Sequence, residues 1–447
     1  NKNFIDTRVS EARFIRAHAY FEMVKRFGGV PLVTDVIPVQ GTSDQLYRSR
    51  NSEKEIYDFI KNEMDEISAL LPSIPEADGR ITKWTALALK SRAMLYAASV
   101  ANFGSQQLNG LLGFPISDAS SYYQASLNAS NQIIQSGAFS LYKKSDDPVK
   151  NFGDLFIDEN NNSEVIFVEK YDYDAGKSHQ WDALAQPSGF GFNWSSNYTV
   201  YLETLEQFDF TDGATGKIDR SLYDDSTPID PNRFFEQRDP RMRASIFYPG
   251  ASFKNGTVFF HRSMTGTKEG WPATGPSKHT GSLATGLLVR KRTNPNTPDA
   301  TRSSTDYIVY RYGEILLNYV EAAFYLGDPN GDMIASINQL RDRAGMPSLN
   351  LAQLTEEKIR QERRCELAFE DHTFWDLRRW RIAVAELNNV QRHRLHYRYN
   401  ANTDKYTIEM AEGDLGGVRI HPERNYYYAL GLNRLADNPA LIENPGY

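Results

Sequence analysis

Three tryptophans, Trp181, Trp194 and Trp271, stand among turn-forming or small polar residues in the middle of this 447-residue chain. An indole in that setting has few local side chains to pack on and is free to present a flat face. Aromatic faces joined by a few placed polar groups make up the general composition of a small-ligand site. The densest such stretch is Pro187 to Tyr198, PSGFGFNWSSNY, which adds two glycines, three further aromatics, Asn193 and Asn197. The candidate ligand-binding residues are therefore Trp194, Trp181, Trp271, Asn193, Tyr198 and Tyr248, with Tyr171 and Tyr173 behind them. The competing reading is that each loop tryptophan only staples its own loop to the scaffold.

Signatures of covalent or metal chemistry are missing. The sequence holds no G-x-x-x-x-G-K-[ST], G-x-S-x-G, H-E-x-x-H or G-x-G-x-x-G. Asp209-x-x-Asp212-Gly213 has the outline of a calcium loop, but the alternating ligands and the distal glutamate are out of register. Asp224-Asp225 reads as a turn. Paired carboxylates could serve glycoside hydrolysis, yet spacing along a loop does not set distance in space. The chain is read as a non-enzyme with no metal site and no cofactor. Its single cysteine, Cys365, excludes an intramolecular disulfide and reads as a buried filler.

The segment Glu362 to Trp380, ERRCELAFEDHTFWDLRRW, carries a different chemistry. On a helix Glu356 precedes Arg360 by four residues and Arg363 precedes Glu366 by three, which suits ion pairs. Glu366 and Glu370 are like-charged at the same spacing, so each needs a partner from another element. This predicts a salt-bridge network clamping the last helix pair. Trp375 and Trp380, like Trp84, are then core residues.

These groups must be positioned by helices. Glu11 to Phe27 places Phe14, Ala17, Tyr20, Phe21 and Val24 on one face and stops at Gly28-Gly29. Ser52 to Leu71, Thr82 to about Ala101 (rich in small residues that admit a close neighbour) and Ser121 to Ser136 follow. Helices return at about Tyr307, then at Asp332 to Ala344, Thr355 to Glu370 and Phe374 to Leu387. The four pairs predict a mostly α, tetratricopeptide-like helical-repeat scaffold. N-terminal pairs would span residues 1–139, a loop-rich insertion 140–305, C-terminal pairs 306–390, and a β-hairpin and tail 391–447. Within the insertion, Glu164 to Glu169 and Ser245 to Tyr248 read as strands. The hairpin joins His393–Tyr399 to Lys405–Met410 across Asn400–Asp404. The alternating Arg392, Arg394, His396 and Arg398 would make it a solvated edge.

Composition bounds the partners. Fifty Lys and Arg against 57 Asp and Glu give −7, without the basic footprint of a nucleic-acid binder. Aromatics make up 12% of the chain, and no run approaches the ~20 apolar residues of a membrane span. The chain opens Asn1-Lys2-Asn3 and is expected to be a processed or truncated form.

Six blocks resemble the SusD/RagB family of nutrient-binding outer-membrane lipoproteins. They are EARFIRAHAYFEMVKRFGGVPLV from Glu11, QRDPRMRASIFYPG from Gln237, YRYGEILLNYVEAAFYLG from Tyr310, SINQLRDRAGMP from Ser336, the Glu362–Trp380 segment, and the terminal ENPGY. The resemblance implies a non-catalytic protein on the extracellular face of the outer membrane, lipid-anchored through a segment upstream of residue 1. It implies an oligosaccharide ligand, sometimes a peptide, handed to a SusC-like TonB-dependent transporter. A sugar ring has an apolar C–H face that an indole covers and hydroxyls that amides take, which matches the candidate residues. The alternatives are a peptide-binding member of the family and a tetratricopeptide scaffold for protein partners.

Overall fold

The computed structural model describes residues 2–190, 197–222, 226–273, 285–328, 330–414 and 416–447. The predicted scaffold helices form, except that Phe374 to Leu387 is broken at Arg381 (φ 56°) into Thr373–Arg379 and Ala383–Leu387. We label them α1 (Lys2–Phe27), α2 (Glu53–Ser68), α3 (Lys83–Phe103), α4 (Ala119–Gln135), α5 (Tyr312–Leu326), α6 (Met333–Arg343), α7 (Glu356–Glu366) and α8 (Thr373–Arg379). Local chemistry sets their starts. The Ser52 hydroxyl accepts from the Glu55 amide while the Glu55 carboxylate accepts from the Ser52 amide, a reciprocal cap. Thr82 caps α3 and Thr355 caps α7 in the same manner of side chain to amide. Helix α1 begins nine residues before the sequence expectation, because Phe4, Ile5 and Val9 are exposed and leave no burial period to read.

Small residues let the central helices approach. Ser91 on α3 and Ser130 on α4 share a hydroxyl hydrogen bond of 2.8 Å, and Asn318 on α5 donates to Ser91 at 3.0 Å. Three helices therefore meet at one serine. No helix among the described residues is long and apolar enough to cross a membrane.

Two expectations are corrected. Tyr307–Arg311 is not helical; it is a strand, antiparallel to Val165–Glu169. Its Tyr-Ile-Val-Tyr run favours extended backbone, and α5 starts only at Tyr312. The hairpin is not an edge. Its strands, His393–Asn400 and Lys405–Glu412, are the middle pair of a four-stranded sheet, flanked by His261–Thr265 and Pro228–Ile229. Leu395, Tyr397 and Tyr399 face a second core with Phe235, Phe247 and Phe260. On the opposite face His396 is buried and accepts from Arg262 at 2.7 Å.

The acidic pair Glu366 and Glu370 joins the two cores. Glu366 meets Arg241 of the insertion at 2.9 Å, Arg311 at 2.7 Å and Arg343 on α6. Glu370 takes Arg311 at 2.7 Å and Lys291 of the insertion at 2.5 Å. Burial opposes ionisation of Glu366, but the three guanidiniums overcome it and hold the carboxyl well below the usual range. The predicted network exists and ties the scaffold to the insertion. Arg363 takes Asp376 at 2.8 Å rather than Glu366.

The helical tryptophans divide. Trp380 is 2% exposed and its indole donates to Glu321 at 2.8 Å. Trp375 is only half-buried, with Lys25 4.7 Å and Arg26 4.8 Å over its ring. Trp84 is half-buried as well, its indole donating to the Ser73 carbonyl at 3.0 Å. Trp380 is a core residue, and Trp375 and Trp84 pack against the helical core from its half-buried margin.

Candidate functional site

A short strand, Leu288–Val289, organises the site. It pairs with Ile246–Phe247 on one side, and on the other the chain at 198–200 runs along it. The Val289 amide donates to the Tyr198 carbonyl at 2.9 Å and the Val200 amide to the Leu287 carbonyl at 3.0 Å. Tyr198 is thereby fixed beside the strand. Trp181 opens a short helix, Trp181–Ala185, and its indole donates to the Lys291 carbonyl at 3.2 Å. The two rings stack, with centroids 4.6 Å apart and planes 20° from parallel. Both are half-buried, so the pair forms an aromatic step at the surface of the insertion.

Buried polar groups brace that step. The Asp182 carboxylate, 1% exposed, accepts from the Asn294 amide at 2.7 Å and the Thr297 hydroxyl at 3.0 Å. Lys291 turns inward, where its ammonium donates to the carbonyls of Glu366 and Ala368 at 3.0 Å each. Burial brings Lys291 down to about 8, against the pull of Glu370. One residue thus holds the Trp181 indole through its backbone and the ion network through its side chain.

The next residue faces outward. Arg292 lies 4.2 Å over the Trp181 ring and 4.7 Å over that of Tyr307. Burial, with Asp371 adding, pushes Tyr307 up to about 12, so it is a neutral phenol. Arg292 also lines a cavity of about 630 Å³ with Arg290, Lys254, Asn255, Asn296 and Phe253. Phe253 packs edge-on against Phe190 at 5.3 Å, and Lys254 donates to the Phe190 carbonyl at 3.3 Å. Phe190 thus packs against two residues of the cavity wall, while Tyr198 belongs to the stacked step. A second cavity, of about 640 Å³, lies on the scaffold between the 73–84 connection and Val165–Val168, with Trp84 and Phe139 in its wall.

The remaining expected residues fall elsewhere. Trp194 and Asn193 lie outside the described residues. Trp271 stacks on Tyr399 at 4.8 Å and 23°, with Phe259 at 4.4 Å and Lys268 4.2 Å over it. Among the described residues it shares no ring partner with Trp181, and its contacts join residues 259–273 to the central hairpin. Tyr248 is a correction: it is 5% exposed, stacked on Phe235 at 4.9 Å, with its hydroxyl on Glu236. Packing rather than presentation explains it. The Asp209 carboxylate takes Lys358 at 2.7 Å and Asp212 takes Arg233 at 2.9 Å. Among the described residues no group of three His, Cys, Asp or Glu could hold a metal ion. Cys365 is buried, its thiol directed to the Gln207 carbonyl at 3.1 Å. Arg292, Arg290 and Lys254 were not anticipated; the signal available was the basic run Arg290-Lys291-Arg292 in an acidic chain.

Comparison with known proteins extends these observations. Residues 163–447 match the model of the SusD family, and residues 2–95 match a model described as starch-binding associating with outer membrane. SusD-like protein P38 of Formosa agariphila is 24% identical over 413 residues, covering 87% of this chain and 69% of its own. A SusD-like protein of Bacteroides ovatus is 24% identical over 382 residues, covering 83% and 58%. The chain therefore spans 58–69% of the length of these relatives. Among solved structures, a SusD-like protein of Bacteroides fragilis superposes with a TM-score of 0.78 at 26% identity, over 100% of this chain and 81% of its own. A SusD-like carbohydrate binding protein of the same organism gives 0.72 at 23% identity, over 98% and 80%.

Proposed function

This chain belongs to the SusD family, and we propose that it is a non-catalytic surface protein that captures an oligosaccharide and passes it to a TonB-dependent, SusC-like outer-membrane transporter. Attachment to the extracellular face of the outer membrane by a lipid anchor upstream of residue 1 is part of the same proposal. The observation that carries it is the stacked pair Trp181 and Tyr198, joined to a polar cavity through Arg292, which lies over the Trp181 ring and lines that cavity. A pyranose offers one apolar face to such a step and its hydroxyls to the amides of Asn255 and Asn296. Trp194 and Asn193, four and five residues before Tyr198, are proposed to complete the same surface. Names of relatives support the ligand class: one solved neighbour is described as carbohydrate binding and another as a surface glycan-binding protein.

Titration calorimetry against a panel of oligosaccharides, for the wild type and Trp181→Ala, tests the reading. Expected is binding to at least one glycan class, weakened at least tenfold in the variant, with no new reducing ends after long incubation. Binding to no glycan, or binding indifferent to Trp181, would remove the proposal. Co-purification with a large outer-membrane β-barrel from native membranes tests the partner separately.

A further inference from the structure

The cavity lined by Arg292 carries an excess of positive charge in a chain whose net charge is −7. Its wall holds four cations, Lys150, Lys254, Arg290 and Arg292, against two carboxylates, Asp147 and Asp154. Both carboxylates are engaged. Asp154 pairs with Lys150, and Asp147 accepts the Val149 amide at 2.8 Å as the cap of the helix Pro148–Asp154. Among the described residues, Lys254, Arg290 and Arg292 have no carboxylate within salt-bridge distance. Lys254 has neutral acceptors, the Gln186 amide oxygen at 3.1 Å and the Phe190 carbonyl at 3.3 Å. Arg290 has the Arg243 carbonyl at 3.3 Å, and burial draws it below the usual guanidinium value. Arg292 has the faces of Trp181 and Tyr307.

Arg292 is also held at a conformational cost. The Thr293 amide closes a turn on the Arg290 carbonyl at 2.9 Å, and Arg292, the third residue of that turn, has φ 64°. Glycine or asparagine normally takes such a position. An arginine there gives up backbone stability, and what it gains is a guanidinium set between two rings, its N–H groups without an acceptor among the described residues. Strain of this kind gathers where a ligand is held.

We propose that the ligand of this site is an acidic glycan, one bearing carboxylate or sulfate groups, read by Arg292, Arg290 and Lys254 while Trp181 and Tyr198 cover a sugar face. The inference rests on the glycan-binding reading above. A planar guanidinium can give a carboxylate or sulfate two parallel hydrogen bonds, and a bound anion relieves the mutual repulsion of the three cations.

The test is calorimetric titration of the full chain with three oligosaccharides of equal length: neutral, uronate-containing and sulfated. Each is measured at low and moderate salt, for the wild type, Arg292→Gly, Lys254→Gln and Trp181→Ala. Expected is binding of one or both acidic ligands about tenfold or more tighter than the neutral one, weakening with salt. The uronate and sulfate arms distinguish the source of the charge. Arg292→Gly should lose about tenfold in that affinity while melting no lower than the wild type, because glycine suits the turn. Neutral ligand bound as tightly as acidic, with loss only in Trp181→Ala, overturns this inference and leaves the glycan reading standing. Binding of none of the three overturns both. Arg292→Gly that binds acidic glycan like the wild type overturns the role of Arg292 whatever its stability.

Discussion

The guanidinium of Arg292 sits 4.2 Å over the Trp181 ring, on a backbone with φ 64°. Its neighbour Lys291 points the opposite way, into the ion network of Glu366 and Glu370. The turn between them therefore joins two chemistries. One side anchors the insertion to the helical scaffold, and the other presents a cation and an aromatic step to solvent. Damage on the two sides should be separable by measuring stability and binding on the same variants.

Glu366→Gln tests the anchored side. The substitution leaves Arg241, Arg311 and Arg343 sharing one less buried carboxylate. Removing one partner of a buried pair costs about 3–5 kcal/mol. An exposed pair such as Lys143 with Asp342 at 3.2 Å should give less than about 1 kcal/mol when Lys143 is replaced by Ala. Chemical denaturation of the two variants checks the contrast. Equal costs would mean that the network does not couple scaffold and insertion.

Trp181→Ala tests the presented side. The indole is half-buried and makes one hydrogen bond, to the Lys291 carbonyl, so the fold should lose only about 1–2 kcal/mol. Removing the ring on which Tyr198 stacks and over which Arg292 lies should weaken glycan binding at least tenfold. Calorimetry beside thermal unfolding reads both. A binding loss that appears only with a collapse in melting temperature would return Trp181 to the class of loop staples.

Much of this was legible in the sequence where the cause is local. Ser52 with Glu55 and Thr82 are caps that a helix start requires, and the like-charged pair Glu366 and Glu370 announced partners from elsewhere. The hairpin at 393–412 was legible because its turn and alternation lie within twenty residues. Its central place was not, because the flanking strand Pro228–Ile229 is two residues long and has no period of its own. Trp181 was visible as an aromatic among small polar residues. Arg292 was not, because the lack of a carboxylate beside an arginine is a property of its surroundings in space. Tyr248, at the end of an expected strand, was a weaker candidate than Tyr198, and packing separates them further.

Trp375 and Trp380 give a paired prediction on one helix end. Trp380→Ala should cost about 3–5 kcal/mol, since the ring is 2% exposed and its indole N–H serves the buried Glu321. Trp375→Ala should cost roughly half as much or less, because its ring is half-buried and its cation contacts, Lys25 and Arg26, can be solvated instead. Urea midpoints of the two variants decide it. A larger loss for Trp375→Ala would mean that this ring, not Trp380, closes the scaffold core.

Acid should destabilise the protein in two stages. Burial, reinforced by Arg262 and Arg394 and only partly offset by Glu409, lowers His396 to about 4. An unfolded chain protonates that imidazole near 6.5, so between about pH 6.5 and 4 the unfolded state binds the extra proton and stability falls as pH falls. Burial likewise holds His372 well below 6.5, with the same sign. The second stage belongs to the carboxylates. Burial works against the ionised forms of Glu321, Glu362 and Glu366, but their arginine partners prevail and hold all three below the ordinary 4.5. Their contribution is fully present above about pH 4.5 and is lost as pH drops through their folded values. Melting temperature measured from pH 7 downward should therefore decline gently and then steeply. His396→Gln should flatten part of the upper decline and leave the lower one in place, because the glutamine amide can still accept from Arg262 without taking up a proton. A variant whose upper decline matches the wild type would show that His396 is protonated in the folded state and that Arg262 does not hold it neutral.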